Sequence, residues 1–319
     1  MNKRKLVKRI TIGLALLIVI GFTATVWITG YIVFNNTSQM SSNDRVNAEN
    51  SMSFFEENGF DYTAFQEKYT MERIDLTSSY DGHTIPADLI YTNNKDNDTV
   101  ILIHGLGGTR LDTLYFAPMF LKHGYNVLSY DQRSAGENFA QYTTLGYLES
   151  YDTADYVAYL DEAIGADKKI HIWGGSMGGS TACIALSRGI VQNRVSSLIL
   201  DSPIGGMVDM FRLRMGAMNI GIPLDFLMFS GNLYTRMALG FSYGDVSPEE
   251  CLKNSTLPVL IITSKADETA PFFLAEKMHK AASGSILAFV EDSAHCGAFF
   301  DYPEWYEEQV FSFMDSQKK

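Results

Sequence analysis

The chain has 319 residues, 46% of them hydrophobic and 19% charged, with 26 glycines and 8 prolines. It is long enough for a large buried core, and its composition excludes collagenous, low-complexity and disordered classes. The formal charge is −12, but five of the 25 cations (Lys3, Arg4, Lys5, Lys8, Arg9) fall in the first nine residues. The rest carries 20 cations against 37 acids, a net −17, which disfavours nucleic acid as a partner.

Residues 1–9 read as a basic cytoplasmic tail, and residues 10–34 (ITIGLALLIVIGFTATVWITGYIVF) carry no charge. At helical rise this stretch spans about 37 Å, enough to cross a hydrocarbon core of roughly 30 Å with some tilt. Trp27 and Tyr31 sit towards its far end, where interfacial aromatics gather, and the basic flank places the N-terminus inside and the body outside. A cleaved signal peptide also starts with a basic region. This apolar stretch is longer than a signal h-region, and no small-x-small site closes it, so an uncleaved single-pass anchor in the cell membrane is expected. Residues 35–70 begin polar and become amphipathic around Phe54, Phe55 and Phe65, the pattern of a juxtamembrane tether and a helix or two.

From residue 71 onward β-rich runs alternate with helical stretches. Asp81-Gly82 separates ERIDLTSSY from HTIPADLIY and marks a hairpin. TVILIH (99–104), YNVLSYD (125–131), KIHIWGG (169–175), VSSLILD (195–201), LPVLIITS (257–264) and SILAFVE (285–291) are unbroken apolar runs. Such runs are expected of parallel strands covered on both faces. With helices predicted between them, for example over 150–164 and 177–189, the reading is a doubly wound α/β sheet of about eight strands.

More than fifty residues separate the run ending at Asp201 from the one beginning at Leu257, far more than an ordinary crossover. Within it, residues 205–245 hold six of the 14 methionines (Met207, Met210, Met215, Met218, Met228, Met237) among several aromatics. An insertion at the carboxyl end of a parallel strand is where a cap over a site is built, and methionine suits an adaptable apolar surface. The same residues would also serve as the core of a few extra helices.

Gly174-Gly175-Ser176-Met177-Gly178 follows the KIHIW strand and opens a helix. A serine on a sharp strand-to-helix turn exposes its hydroxyl, and the flanking glycines let the turn pack. A serine nucleophile needs a base oriented by a carboxylate, and in this architecture acid and then histidine follow at later strand ends. Asp267 follows LPVLIITS, and His295 follows SILAFVE. Only His279 and His295 lie after Asp267, and His279 falls in a helical stretch that reads as solvated surface. His295 is therefore the expected base and Asp267 the expected acid, with Asp201, at the end of an earlier strand, competing for that role. Asp292 reads as a residue that fixes the loop. Acyl transfer also needs oxyanion donors; these are assigned to the backbone N–H groups of Met177 and of Leu106, in the loop His104-Gly105-Leu106-Gly107-Gly108. His104 reads as a brace for that loop, and His171 as a core histidine.

The succession HGLGG, YDQRSAGEN, GGSMGG and the aspartate and histidine loops resembles the α/β-hydrolase superfamily over about residues 71–319. It is most similar to membrane-anchored bacterial hydrolases of the serine-aminopeptidase and monoacylglycerol-lipase-like kind. The resemblance implies a mostly parallel sheet of about eight strands with helices on both faces, a cap over about 205–245, a Ser176–Asp267–His295 triad and no cofactor. It treats Asp131, Arg133, Glu149 and Asp152 as structural. The oxyanion loop is HGLGG, a departure from the HGGG of many lipases.

A serine, a base and an acid together predict hydrolysis of an ester, thioester or amide through an acyl-enzyme. An apolar cap favours a small-molecule or lipid-like acyl substrate, hence a carboxylesterase or lipase-like enzyme at the outer membrane face. A serine peptidase or aminopeptidase-like amide hydrolase is the alternative, although Arg212, Arg214 and Arg236 outnumber Asp209 and Asp225 in the cap. A non-catalytic, membrane-tethered binding protein is a third reading. Histidine spacing supports no metal site, the three dispersed cysteines form no paired one, and no GK[ST] closes a phosphate loop.

Overall fold

The computed structural model describes residues 3–38, 48–218 and 221–317. Helix α1 (Lys3–Ser38) is followed by α2 (Ala48–Glu57) and α3 (Tyr62–Lys68), then strands β1 (Thr70–Thr77), β2 (Thr84–Tyr91) and β3 (Thr99–Ile103). Short helices α4 (Arg110–Thr113) and α5 (Ala117–Lys122) lead to β4 (Asn126–Tyr130), α6 (Glu149–Ile164) and β5 (Ile170–Gly175). Next come α7 (Met177–Ala185), α8 (Gly189–Arg194) and β6 (Val195–Asp201), the cap helices α9 (Met207–Ala217) and α10 (Leu224–Leu239), and α11 (Pro248–Lys253). The chain closes with β7 (Val259–Ser264), α12 (Phe272–Ala281), β8 (Ile286–Val290), α13 (Ala298–Asp301) and α14 (Pro303–Ser316).

The eight strands form one sheet in the order β1-β2-β4-β3-β5-β6-β7-β8. The first two pairings, β1 with β2 and β2 with β4, are antiparallel; the rest are parallel. Alternation along the central strands explains their unbroken hydrophobicity. Ile101 and Ile103 point into a core with Ile170, Ile172 and helix α6, while Val100 and Leu102 point into a second core with Phe120 and helix α14. Both faces are covered, so neither can be polar. A third apolar cluster lies under the cap, where Met207, Met210, Phe211 and Met228 meet Met177.

Several boundaries differ from the sequence reading. The helix expected over 177–189 ends at Ala185, and a separate turn starts at Gly189. Residues 3–9, read as a tail, are the first turns of α1, which also runs past Phe34 to Ser38. Of the expected tether, residues 39–47 lie outside the described residues. Helices α2 and α3 are docked on the domain: Phe55 and Phe65 are buried in the second core, and Ser51 shares a hydrogen bond with Thr109 at 3.1 Å. Burying each such ring stabilises the docking by roughly 1.5–3 kcal/mol.

Helix α1 is long and apolar enough to cross a membrane. Most of its length is exposed, but Val26, Gly30, Val33, Phe34 and Ser38 are buried, one stripe at helical spacing. That stripe lies against α10 of the cap.

Glycine is sterically required where β5 turns into α7. A Cβ on Gly178 would stand 2.0 Å from the Ile103 carbonyl oxygen and 2.7 Å from that of His104; one on Gly174 would stand 2.4 Å from the Gly178 carbonyl oxygen. The helix thus leaves the sheet in backbone contact with β3. Gly178→Ala is expected to destabilise the domain by about 3 kcal/mol, lowering its thermal midpoint by about 6–12 °C in a scan against the parent. An unchanged midpoint would refute the close-approach argument.

Candidate active site

Strands β3 and β5 lie side by side where the strand order reverses, so the loops at their carboxyl ends share one crevice. Ser176, the single residue between β5 and α7, has φ 53° and ψ −120°, a conformation a non-glycine residue adopts only when its surroundings impose it. The surroundings do so: its N–H donates to the Asp201 carbonyl at 2.8 Å, and its own carbonyl accepts from Gly179 N at 3.0 Å. The side chain stays partly accessible, and its Oγ lies 2.8 Å from His295 Nε2.

His295 comes from the loop after β8, with its side chain 22% exposed. Its Nδ1 is 2.7 Å from Asp267 Oδ2. Asp267 is buried in the loop after β7, where its other oxygen, Oδ1, accepts from Thr269 N and Ala270 N, each at 2.8 Å. Those two amide donors fix the carboxylate plane, which leaves the other oxygen to accept from the imidazole. The structure therefore brings together Ser176, His295 and Asp267 from three separate loops.

The loop of residues 104–108 lies directly beside the serine: a Cβ on Gly105 would stand 3.2 Å from the Ser176 Cβ. His104 holds the loop. It is buried, Nδ1 donates to the Gly105 carbonyl at 2.7 Å, and Nε2 accepts from Gln132 N at 2.9 Å. Burial holds its pKa below the ordinary histidine value, in keeping with this neutral, doubly bonded role. Leu106 follows with its side chain exposed, and its N–H makes no main-chain hydrogen bond among the described residues. On the other side, Met177 opens α7, where first-turn N–H groups have no helical acceptor. The Met177 sulfur accepts a hydrogen bond from Thr143 at 3.9 Å.

Asp201 is occupied elsewhere. It is 0% exposed, Oδ2 accepts from the Tyr306 hydroxyl at 2.8 Å, and Oδ1 accepts from Ser202 at 3.1 Å. Tyr306 in turn accepts from Trp173 Nε1–H at 2.8 Å. This chain runs beneath the site, and no sequence signal pointed to it, because Trp173, Asp201 and Tyr306 meet only through the fold. Beside it, Cys296 has φ 55° and donates its N–H to Ser202 Oγ at 3.2 Å, which pins the residue after His295.

Burial pushes the Asp201 carboxyl up from the ordinary 3.8 to about 6. The folded chain then keeps this proton to a higher pH than the unfolded chain. Stability from this group is present below about pH 4 and is lost as pH rises towards 6, by about 3 kcal/mol in all. Asp201→Asn lacks that titration. Its stability relative to the parent is expected to rise by about that amount between pH 4 and pH 7 in denaturant titrations; a pH-independent difference would refute it.

The remaining candidates are structural in their contacts. Asp131 accepts from Arg110 N at 2.7 Å and Arg110 Nη1 at 2.6 Å, Glu149 from Thr144 and Gly146, and Asp152 from Ser78 and His83; Arg133 pairs with Asp81. Asp292 accepts from Tyr302 at 2.7 Å, holding its loop to the start of α14. His171 is buried beside Ser197 at 2.7 Å. His279 departs from the solvated role expected of it: it is half-buried, with Nδ1 2.7 Å from Ser285 Oγ, and braces the turn after α12. In the cap, Asp209 pairs with Lys277, and Arg212 with Asp225 at 2.9 Å. Both of these acids are thus taken up by cations of the chain.

The chain has the α/β-hydrolase fold. The family model described as alpha/beta hydrolase fold matches residues 98–219. Among proteins of similar sequence are the uncharacterized protein YqkD of Bacillus subtilis, 26% identical over 82% of this chain and 84% of its own, and the lysophosphatidylserine lipase ABHD12 of Xenopus tropicalis, 24% identical over 63% of this chain and 54% of its own. Among solved structures, the Pyrococcus furiosus esterase Pf2001 superposes with a TM-score of 0.63 at 21% identity, over 80% of this chain and 96% of its own. The esterase EaEST from Exiguobacterium antarcticum gives 0.57 at 21%, over 76% and 100%. At such identities these structures speak for the fold.

Proposed function

We propose that the chain is a serine hydrolase that cleaves a carboxylic ester through an acyl-enzyme, anchored by α1 with its catalytic domain at the outer face of the cell membrane. The observation that carries this reading is the relay from Ser176 Oγ through His295 to Asp267, at 2.8 and 2.7 Å, on a serine held at positive φ. His295 Nε2 takes the Ser176 proton as Oγ attacks the ester carbonyl. The oxyanion is held by the backbone N–H groups of Met177 and Leu106. Collapse expels the alcohol, which receives the proton from His295, and a water activated by the same histidine releases the acid. No residue assigned here calls for a cofactor or metal.

Ester rather than amide cleavage is supported by the cap. A free-amine substrate wants an unpaired carboxylate near the serine, but Asp209 and Asp225 are each paired with a cation of the chain. The likeness to the esterases Pf2001 and EaEST and to the lysophosphatidylserine lipase ABHD12 supports the same reading. The anchor rests on the charge-free run of residues 10–34, the topology on the cations before it.

The test is covalent labelling of the full chain in detergent with a fluorophosphonate, followed by p-nitrophenyl esters of graded chain length set against aminoacyl amides. Labelling of the folded parent but not of Ser176→Ala, with turnover of esters, is the expected result. A folded parent that never labels would leave a binding protein of hydrolase fold.

A further inference from the structure

Helix α1 is more than a tether, because it is packed along the cap. Two glycines let the backbones meet. A Cβ on Gly30 would stand 2.5 Å from the Ser230 carbonyl oxygen, and one on Gly231 would stand 2.6 Å from Val33 Cγ1. Small residues at a crossing are what allow helices to pack closely where water provides no driving force. Aromatic rings close the seam: Trp27, Tyr31 and Phe34 lie 5.8, 5.8 and 5.2 Å from Tyr234, and Phe22 lies 6.3 Å from Phe226.

These pairs also give a direction. Phe22 meets Phe226, Gly30 meets Ser230, and Phe34 meets Tyr234, so the two helices run the same way. The N-terminal end of α10, and the α9–α10 connection before it, therefore point back along α1 towards its basic end. If Lys8 and Arg9 mark one boundary of the hydrocarbon, about 20 residues of helix reach the other boundary near Trp27. Phe22 then lies about 8 Å inside that boundary by helical rise, and Phe226 is at its level.

The surface at that end of the cap suits such a depth. Met218, Ile222 and Phe229 are 65%, 45% and 56% exposed. Its acid, Asp225, is paired with Arg212 at 2.9 Å, so at this depth the two charges enter together as an ion pair. The other end of α1 reaches the site: the Ser38 carbonyl accepts from Thr143 N at 3.0 Å, and Thr143 bonds to the sulfur of Met177.

We propose that the α9–α10 hairpin of the cap is seated in the leaflet facing the hydrolase domain, beside α1, with Met218, Ile222, Phe226 and Phe229 among the acyl chains. The proposal rests on the reading of α1 as a membrane span. It deepens the proposed function: the ester reaches Ser176 from the lipid layer, so its acyl part is that of a membrane amphiphile.

The experiment places single tryptophans in the full chain, reconstituted into phosphatidylcholine vesicles brominated high on the acyl chains. Ile222→Trp and Phe229→Trp report the hairpin. Met237→Trp, exposed at the far end of α10, reports the aqueous side. The parent, with Trp27, Trp173 and Trp305, supplies the background, and thermal unfolding checks each variant. The fluorescence added at 222 and 229 is expected to fall about twofold in brominated vesicles and to resist acrylamide, with the reverse at 237. If 222 and 229 are quenched by acrylamide and not by brominated lipid, while alkaline washing leaves the chain in the vesicles, the hairpin proposal is overturned and the span stands. Release of the chain by the alkaline wash would overturn both.

Discussion

Ser176→Ala is expected to lower ester turnover by about 10⁵–10⁶-fold while leaving the thermal midpoint nearly unchanged. In the proposed mechanism the hydroxyl forms the acyl-enzyme, and no other nucleophile lies within hydrogen-bond reach of His295 Nε2 among the described residues. What would remain is binding and oxyanion stabilisation without covalent catalysis. The backbone should tolerate the change, since alanine at φ 53° is no more strained than serine, and the main-chain bonds to Asp201 and Gly179 persist. Steady-state kinetics beside a thermal scan would check this. Activity within tenfold of the parent would sink the assignment of the nucleophile.

Asp267→Asn is expected to cost about 10⁴-fold in kcat. The cause is local and specific. Oδ1 of Asp267 accepts from two backbone N–H groups, so an asparagine will turn its carbonyl to them and its amide nitrogen to His295. The histidine must then present Nδ1 as an acceptor and carry its proton on Nε2, facing Ser176, where it cannot take the serine proton. Asp201→Asn is the paired control. Its carboxylate bonds to Tyr306 and Ser202, so activity is expected to stay within about tenfold of the parent while stability takes on the pH dependence described above. Loss of activity in Asp201→Asn but not in Asp267→Asn would reverse the roles of the two acids.

The two aspartates show where sequence reasoning reached its limit. Both end or follow an apolar strand, and on chain order alone either can face the histidine. What separates them is the turn at Asp267, whose two amides orient one carboxylate, and the chain Tyr306–Trp173, which absorbs the other. Neither is written locally. Tyr306 lies 105 residues from Asp201, in a helix whose pattern speaks only of packing. His279 shows the same limit: helical spacing suggested surface, but Ser285 takes its ring nitrogen because α12 ends just there.

Local pattern was sufficient for everything that depends on neighbours in the chain. Unbroken apolar runs marked the parallel strands, five of them buried on both faces; SILAFVE departs from this, because it forms the edge strand β8, where Ile286 and Phe289 are exposed. The glycines around Ser176 marked the turn, because Gly178 must pass the backbone of β3. The charge-free run of residues 10–34 marked a helix able to cross a membrane. Folding in three dimensions alone settled what depends on distant partners: which aspartate meets His295, where helices α2 and α3 dock, and that α1 lies along the cap. The physical reason is that a pattern of 2 or 3.6 residues records which face of an element is apolar, not which element will cover it. Val26, Gly30, Val33 and Phe34 lie on a helix that is apolar on all sides there, so nothing in its periodicity distinguishes the face that meets α10 from the exposed faces.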